Sequence, residues 1–427
     1  MKSRLYQWLL HPRTLRTREH LFSLARRVKG QSQKIDLFYR CGDPQAHLLL
    51  LLTRTLGGAY GIDVDVRLLP GSENEQDSSA AQLQRWRLRD AARFARALDL
   101  PLPDSAEPRM RAGCEAAMAY SWRRQRSLEE LCDLSTAYWN GESAVWSRSL
   151  SRLKATDHAH QRILFRDNLA YLESLGHYDA NAIHYDGVFY RGVERLRHLT
   201  LRLRRAGLVG GDAAERANLA ERLDAIENRS RDLTVATTDS ASDAPITLFF
   251  SFRSPYSWVA LPRVLTMADA ARRTIRFRPV RPMVERGVAL SPEKRRYLVL
   301  DAAREADRYG VPFGRIVDPL GDGVATALAG FFAAAAIGLE RRYVEHVMAG
   351  IWAQGLNLTR SAEVDRLLVS VGLTRRALEA QRASAGNDEI LKANELALSQ
   401  QDLWGVPTVV VDGRAVWGQD RLWQCTE

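Results

Sequence analysis

Two apolar runs frame the chain: Ile35-Asp-Leu-Phe-Tyr-Arg40 and Ile246-Thr-Leu-Phe-Phe-Ser-Phe252. Both are short and bounded by turn-forming residues, which predicts buried strands at 35–40 and 246–252. Each leads into a segment with apolar residues at helical spacing, about 44–58 and 255–271, and then into a second strand, 62–69 or 274–279. Long blocks of helical periodicity follow, about 80–174 and 292–403. Each block gives way to a strand, an Asp-Gly turn and another strand: Ala182–Asp186 with Val188–Tyr190, and Thr408–Asp412 with Ala415–Trp417. A last helix is expected to start at Glu194 in one case and Asp420 in the other.

The two halves therefore read as one pattern written twice. The first runs match at an offset of 211 residues, which recurs where Asp90-Ala-Ala-Arg-Phe-Ala95 faces Asp301-Ala-Ala-Arg-Glu-Ala306. Near the ends the offset is 226, so the second copy carries about fifteen more residues in its middle. The order β-α-β, helical insert, β-β-α predicts an α/β chain of tandem thioredoxin-like (DsbA-type) domains, each with an inserted all-helical subdomain. The expected divisions are a basic helical arm at 1–34, a first domain at 35–206, a helical and polar linker at 207–245, and a second domain at 246–427. Within the linker, Ala213–Arg231 reads as a charged helix and Thr234–Asp243 as a flexible tether.

Composition alters this picture only modestly. A chain of 427 residues suits two or three domains, and 46% hydrophobic residues suffice for full cores. The four cysteines are scattered with no Cys-x-x-Cys, which points to neither a disulfide framework nor a zinc site and suits a reducing cytoplasm. The net charge is +10, but only six of the 61 basic residues are lysine, and arginine is spread through every segment. That is a compositional bias rather than a stripe, so nucleic acid is not an expected partner. No signal peptide is read at the N-terminus, whose short apolar stretch ends in His11-Pro-Arg. The longest apolar run, Leu328–Leu339, has twelve residues and reads as a buried helix, so no membrane association is expected.

The candidate chemistry lies in Ser254-Pro-Tyr-Ser-Trp258, where a strand turns into a helix N-terminus. Unpaired N–H groups and the positive end of the helix dipole gather at such a turn and stabilise an anion, a thiolate included. A hydroxyl, not a cysteine, occupies it, which points to chemistry on a borrowed thiol. The plainer role for Ser254 is an N-cap, and one residue can serve both.

With Ser291-Pro-Glu-Lys-Arg-Arg-Tyr297, Asp301–Ala306, Gly310-Val-Pro-Phe313, Gly405-Val-Pro-Thr-Val-Val-Val-Asp-Gly413 and Trp417-Gly-Gln-Asp-Arg421, this turn makes the second copy resemble a known family. It is similar to 2-hydroxychromene-2-carboxylate isomerases and kappa-class glutathione transferases, within the DsbA-like thioredoxin superfamily. The resemblance implies glutathione as cofactor, with Ser254 hydrogen-bonded to its sulfur, and a cis Val406–Pro407 junction whose backbone pairs with the tripeptide. The alternative for Pro407 is a proline merely starting a strand. It further implies that the N–H groups of Gln419, Asp420 and Arg421 take the γ-glutamyl carboxylate, Asp420 the α-amino group, and that Lys294 lies near the ligand. The bland readings are an acid favouring the helix dipole, a surface Arg421 and a solvated Lys294. Where family members carry an Asn-containing loop, 278–290 has no Asn; Arg278, Arg281 and Arg286 are candidate carboxylate binders in its place.

The first copy lacks these parts. Asp43 stands for Ser254, Asn181 for Pro407, Leu83 near Lys294 and Glu194 for Asp420. It reads as a degenerate partner domain, pairing with the second copy within the chain or leaving a homodimer to form. Cys41, two residues before Asp43, offers a minor redox role, and Asp157-His-Ala-His160 is poor metal-ligand spacing on a helix, so no metal is expected. The leading expectation is a cytoplasmic glutathione-dependent isomerase acting on a small electrophilic or aromatic-derived substrate. Glutathione conjugation of the transferase type and a non-catalytic DsbA-like binding or scaffold protein are the alternatives.

Overall fold

The computed structural model describes residues 2–71, 78–103, 113–233 and 243–426. They form two compact units, residues 18–228 (the first unit) and residues 1–17 with 229–427 (the second).

The first unit is built on strands β1 (Lys34–Arg40), β2 (Asp63–Leu69), β3 (Ala182–Tyr185) and β4 (Val188–Arg191), in the order β2-β1-β3-β4. β1 and β2 are parallel, whereas β3 runs antiparallel to both β1 and β4. The crossover between β1 and β2 is the helix Pro44–Tyr60. Asp43 starts it by accepting from the N–H groups of Gln45 and Ala46, Pro44 fits its first turn, and Gly61 ends it in the left-handed conformation. Leu48 to Leu52 are all buried, as expected of a helix pressed between a sheet and the helical insert. That insert comprises Ser78–Leu98, Cys114–Gln125, Leu128–Asn140, Ser143–Leu150 and Ala155–Ser174. It buries an aromatic cluster in which the Tyr138 ring stands edge-on to Trp139 and to Trp146. The β3–β4 turn uses Asp186 and Gly187, both at positive φ, as a two-residue hairpin requires.

The second unit repeats this plan. Strands β5 (Ile246–Phe250), β6 (Ile275–Pro279), β7 (Thr408–Val411) and β8 (Arg414–Trp417) lie in the order β6-β5-β7-β8, with the same senses as their counterparts. The crossover helix is Pro255–Ala270, and the insert runs from Pro292 to Ser399 in six helices, with a π-turn at Gly350–Gln354. The apolar run read from sequence lies mostly in Asp322–Ala335, buried through most of its length. Phe250, Phe252, Trp258 and Val264 from the sheet and crossover helix join Phe331, Tyr343 and Trp352 of the insert in one core. Leu10, from the helix Lys2–Leu10, is buried in that core as well.

The expected boundaries shift in two places. The 1–34 arm is not one body: residues 1–17 belong to the second unit and 18–34 to the first. The helix expected within 207–245 is present as Ala213–Arg231 and is packed, because Leu219, Leu223 and Ile226 are buried and Arg222 reaches the carbonyls of Leu98 and Asp99. Its residues up to 228 are part of the first unit. Most of the expected tether, 234–242, lies outside the described residues. No described helix is long and apolar enough to cross a membrane.

Candidate functional site

The second sheet places Ser254 where sequence reading put it. β5 ends at Phe250, the chain turns, and Ser254 caps the helix from Pro255 by accepting from the Ser257 N–H at 3.1 Å. Its hydroxyl hydrogen points towards the Val406 carbonyl at 3.4 Å, a long and weak bond. Val406–Pro407 is a cis peptide. Two elements about 150 residues apart thus meet at one point: a half-buried hydroxyl at a helix N-terminus, and the backbone leading into β7.

The approach to that junction is tightly built. A Cβ on Gly405 would lie 2.1 Å from the Trp417 ring, so only glycine lets the strand entry pass beneath it. Trp404 packs against Trp417 with ring centroids 4.9 Å apart. Arg286 ties the loop after β6 to the junction, its Nη1 donating to the Trp404 carbonyl at 2.9 Å and its Nε to the Arg281 carbonyl at 3.0 Å. Burial holds the Arg286 pKa below its usual value.

Of the three arginines expected as carboxylate binders, Arg281 is ion-paired, whereas Arg286 keeps its Nη2 without an acceptor. Arg281 makes a forked ion pair with Glu395 and reaches Asp388 at 3.0 Å, and the Glu395 hydrogen bond raises its pKa. Arg286 serves the backbone, and the Arg278 guanidinium lies over the Phe249 ring.

Gln419, Asp420 and Arg421 open a 3-10 helix, Gln419–Thr426, in which the Arg421 N–H donates to the Gly418 carbonyl at 3.3 Å. Their side chains are buried, which corrects the surface reading of Arg421. Asp420 holds Arg421 at 2.7 Å, and Gln419 donates to Glu305 at 2.7 Å while its carbonyl accepts from Arg263. Lys294 sits half-buried in the first turn of Pro292–Tyr309, where its N–H is capped by the Ser291 hydroxyl at 3.2 Å.

Sequence reasoning missed one cluster beside Ser254. Tyr256 donates to Asp301 at 2.7 Å, and Arg304 and Tyr297 reach the other carboxylate oxygen at 3.0 and 3.4 Å. Asp301 is fully buried, so these bonds anchor the helix bearing Lys294 to the one capped by Ser254. Asp301 belonged to a quoted motif, but nothing local revealed its partner.

In the first unit, Asp43 caps its helix and meets Arg87 at 3.2 Å. Asn181 occupies the place of Pro407: Gly192 donates to the Asn181 carbonyl as Gly418 does to that of Pro407. Burial, then Glu115 and Cys114, push the Cys41 thiol well above its usual pKa, which removes the thiolate a redox role needs.

Residues 245–427 match the family described as the DSBA-like thioredoxin domain. The chain is 26% identical over 186 residues to 2-hydroxychromene-2-carboxylate isomerase of Pseudomonas putida, covering 42% of this chain and 90% of that one. It is 29% identical over 190 residues to the enzyme of the same name from Sphingobium xenophagum, covering 42% and 93%. Among solved structures, cytosolic disulfide reductase DsbM from Pseudomonas aeruginosa with GSH is similar at 15% identity and a TM-score of 0.31, covering 40% of this chain and 88% of that one. Residues 245–427 are thus a DSBA-like thioredoxin domain with homology to 2-hydroxychromene-2-carboxylate isomerases.

Proposed function

We propose, from the premise that residues 245–427 form a DSBA-like thioredoxin domain related to these isomerases, that this domain is a glutathione-dependent isomerase. The observation that carries the reading is the hydroxyl of Ser254, which caps a helix and has only a weak 3.4 Å acceptor for its hydrogen. The residues present fit the cofactor's thiol end: a donor free to turn and a helix N-terminus favour an anion at that point. The Val406 backbone beside Pro407 offers an edge for an extended peptide, and the N–H groups of Gln419 and Asp420 suit its terminal carboxylate, that of Arg421 being held by the Gly418 carbonyl. Asp420 would share its carboxylate between Arg421 and the ligand's amino group. Lys294 would add a cation near the ligand.

Bound there, glutathione would supply a thiolate that adds to a conjugated double bond of the substrate, lets that bond rotate as a single bond, and leaves again. Ser254 would hold the sulfur charge before addition and after departure. Residues 35–206 are read as a degenerate copy of the same domain, supported by the matching strand order and senses of the two sheets. The cytoplasm is the proposed compartment, in keeping with four buried, free cysteines. Isothermal titration of the full chain with glutathione tests the reading: saturable heat in the micromolar to millimolar range supports it, and its absence rejects it. Product analysis with a conjugated 2-oxo acid then separates isomerisation, which returns free thiol, from conjugation, which consumes it.

A further inference from the structure

Far in sequence from Ser254, the first unit carries a cleft of about 520 Å³, within the size range of small-molecule sites. Its walls come from the end of the helix Pro12–Val28, from β1 and β3, from the helix Ala155–Ser174, and from the Asp186–Gly187 turn. Three rings line it: Phe22, Tyr171 and His184. Phe22 lies close enough to Gly187 that a Cβ there would meet the ring at 2.9 Å.

The charges in this cleft are unevenly satisfied. Asp36 is buried in its wall, accepts from Tyr171 at 3.2 Å and Arg67 at 3.3 Å, and has Lys34 and His184 each at 3.6 Å. Burial works to raise the Asp36 pKa, but His184, Lys34 and Arg67 outweigh it and lower it. Asp186 accepts from the Ser23 hydroxyl at 2.9 Å and from Arg26 at 3.1 Å. His184 is occupied on its second nitrogen by the Gly187 N–H at 3.2 Å. The donors are not so well served. Arg26 gives one nitrogen to Asp186 and another to the Gln31 carbonyl, while its Nη2 has no hydrogen-bond acceptor. The exposed Lys29 has no charged partner among the described residues. With both carboxylates already paired, Lys29 and one nitrogen of Arg26 are left without an acceptor among the described residues.

The fold does not require this arrangement. Asp36 faces His184 across the β1–β3 pair, and the corresponding pair of the second sheet is Thr247 facing Val410. The same backbone closes there without a charged pair, so closure of the sheet alone does not account for the cluster in the first unit.

We infer that this cleft binds a small aromatic carboxylate, its ring among Phe22, Tyr171 and His184 and its carboxylate on Lys29 and Arg26. Carboxylate on paired cations and a planar ring between aromatic walls satisfy both unmet features at once. Titration of the full-length protein with 2-naphthoate tests it, with cyclohexanecarboxylate and inorganic phosphate in parallel. Saturable binding of naphthoate is expected below about 1 mM, weakened about tenfold by Lys29→Glu and several-fold by Phe22→Ala. Both positions are solvent-exposed, so thermal melting should show these variants folded. Ser254→Ala should leave naphthoate binding unchanged, which keeps this result independent of the glutathione site. No saturable heat up to about 10 mM, binding indifferent to Lys29→Glu, loss of binding in Ser254→Ala, or phosphate binding as tightly as naphthoate would each overturn the inference.

Discussion

Replacing Ser254 with Asp separates the two roles of its hydroxyl. As an N-cap it accepts from Ser257, and an aspartate does that equally well, as Asp43 does in the first unit with Gln45 and Ala46. As the proposed thiol partner it must donate, and a carboxylate has nothing to donate. Ser254→Ala removes both roles. The lost cap should cost about 1 kcal/mol, a fall in Tm of ~2–4 °C for a unit of this size. Ser254→Asp should keep the melting temperature within about 1 °C of the parent, since the cap and the helix dipole are both served. A hydrogen bond to a charged group contributes about 1.5–3 kcal/mol, so its loss should raise the bound thiol pKa by roughly one to two units. The aspartate charge adds repulsion, of order 4 kcal/mol at 4 Å and an effective dielectric constant of about 20. The assay is the ultraviolet absorbance of the glutathione thiolate in the complex, titrated against pH. The parent should show thiolate at neutrality, the Ala variant only above about pH 8–9, and the Asp variant essentially none across the accessible range. Parent-like thiolate absorbance at neutrality in the Asp variant would refute the donor role of Ser254, and with it the mechanism.

Three other outcomes follow from the structure. Gly405→Ala puts a Cβ 2.1 Å from the Trp417 ring, so chemical denaturation should show a loss of about 1–3 kcal/mol, with glutathione binding lost alongside it. His47 is buried between the Ser135 hydroxyl and the Pro101 carbonyl, and burial lowers its pKa to about 4. Its unfolded form takes a proton near pH 6.5 and its folded form only near 4, so stability should be full above about 6.5 and decline by about 3 kcal/mol as pH falls to 4. Urea unfolding across that window should show the slope, and His47→Gln should flatten it. The Asp36 pKa is also lowered, so its stabilisation is present above the unfolded carboxylate range and should be lost as pH drops through the folded value. Asp36→Asn should remove that acid-limb loss while destabilising the protein at neutrality, where Arg67 and Lys34 would lose one of their two carboxylate partners and keep only Asp65.

The sequence alone determined whatever rests on neighbours along the chain. Ser254 before Pro255, Asp43 before Pro44, and the Asp-Gly pairs at 186–187 and 412–413 are local signals, because caps and tight turns are decided within a few residues. The strand and helix order of both halves was legible for the same reason, since apolar periodicity reports which face of an element is buried. Tertiary structure decided how charges were spent. Arg281 looked available for a ligand until the fold brought Glu395 to it, and Arg286 gives one nitrogen to the Trp404 carbonyl. Gln419 meets Glu305 across 114 residues, and Tyr256 meets Asp301 across 45. The cleft at Asp36 and His184 likewise exists only once β3 lies beside β1. A polar side chain can take any complementary partner within reach, and which partner is in reach is set by packing rather than by spacing along the chain.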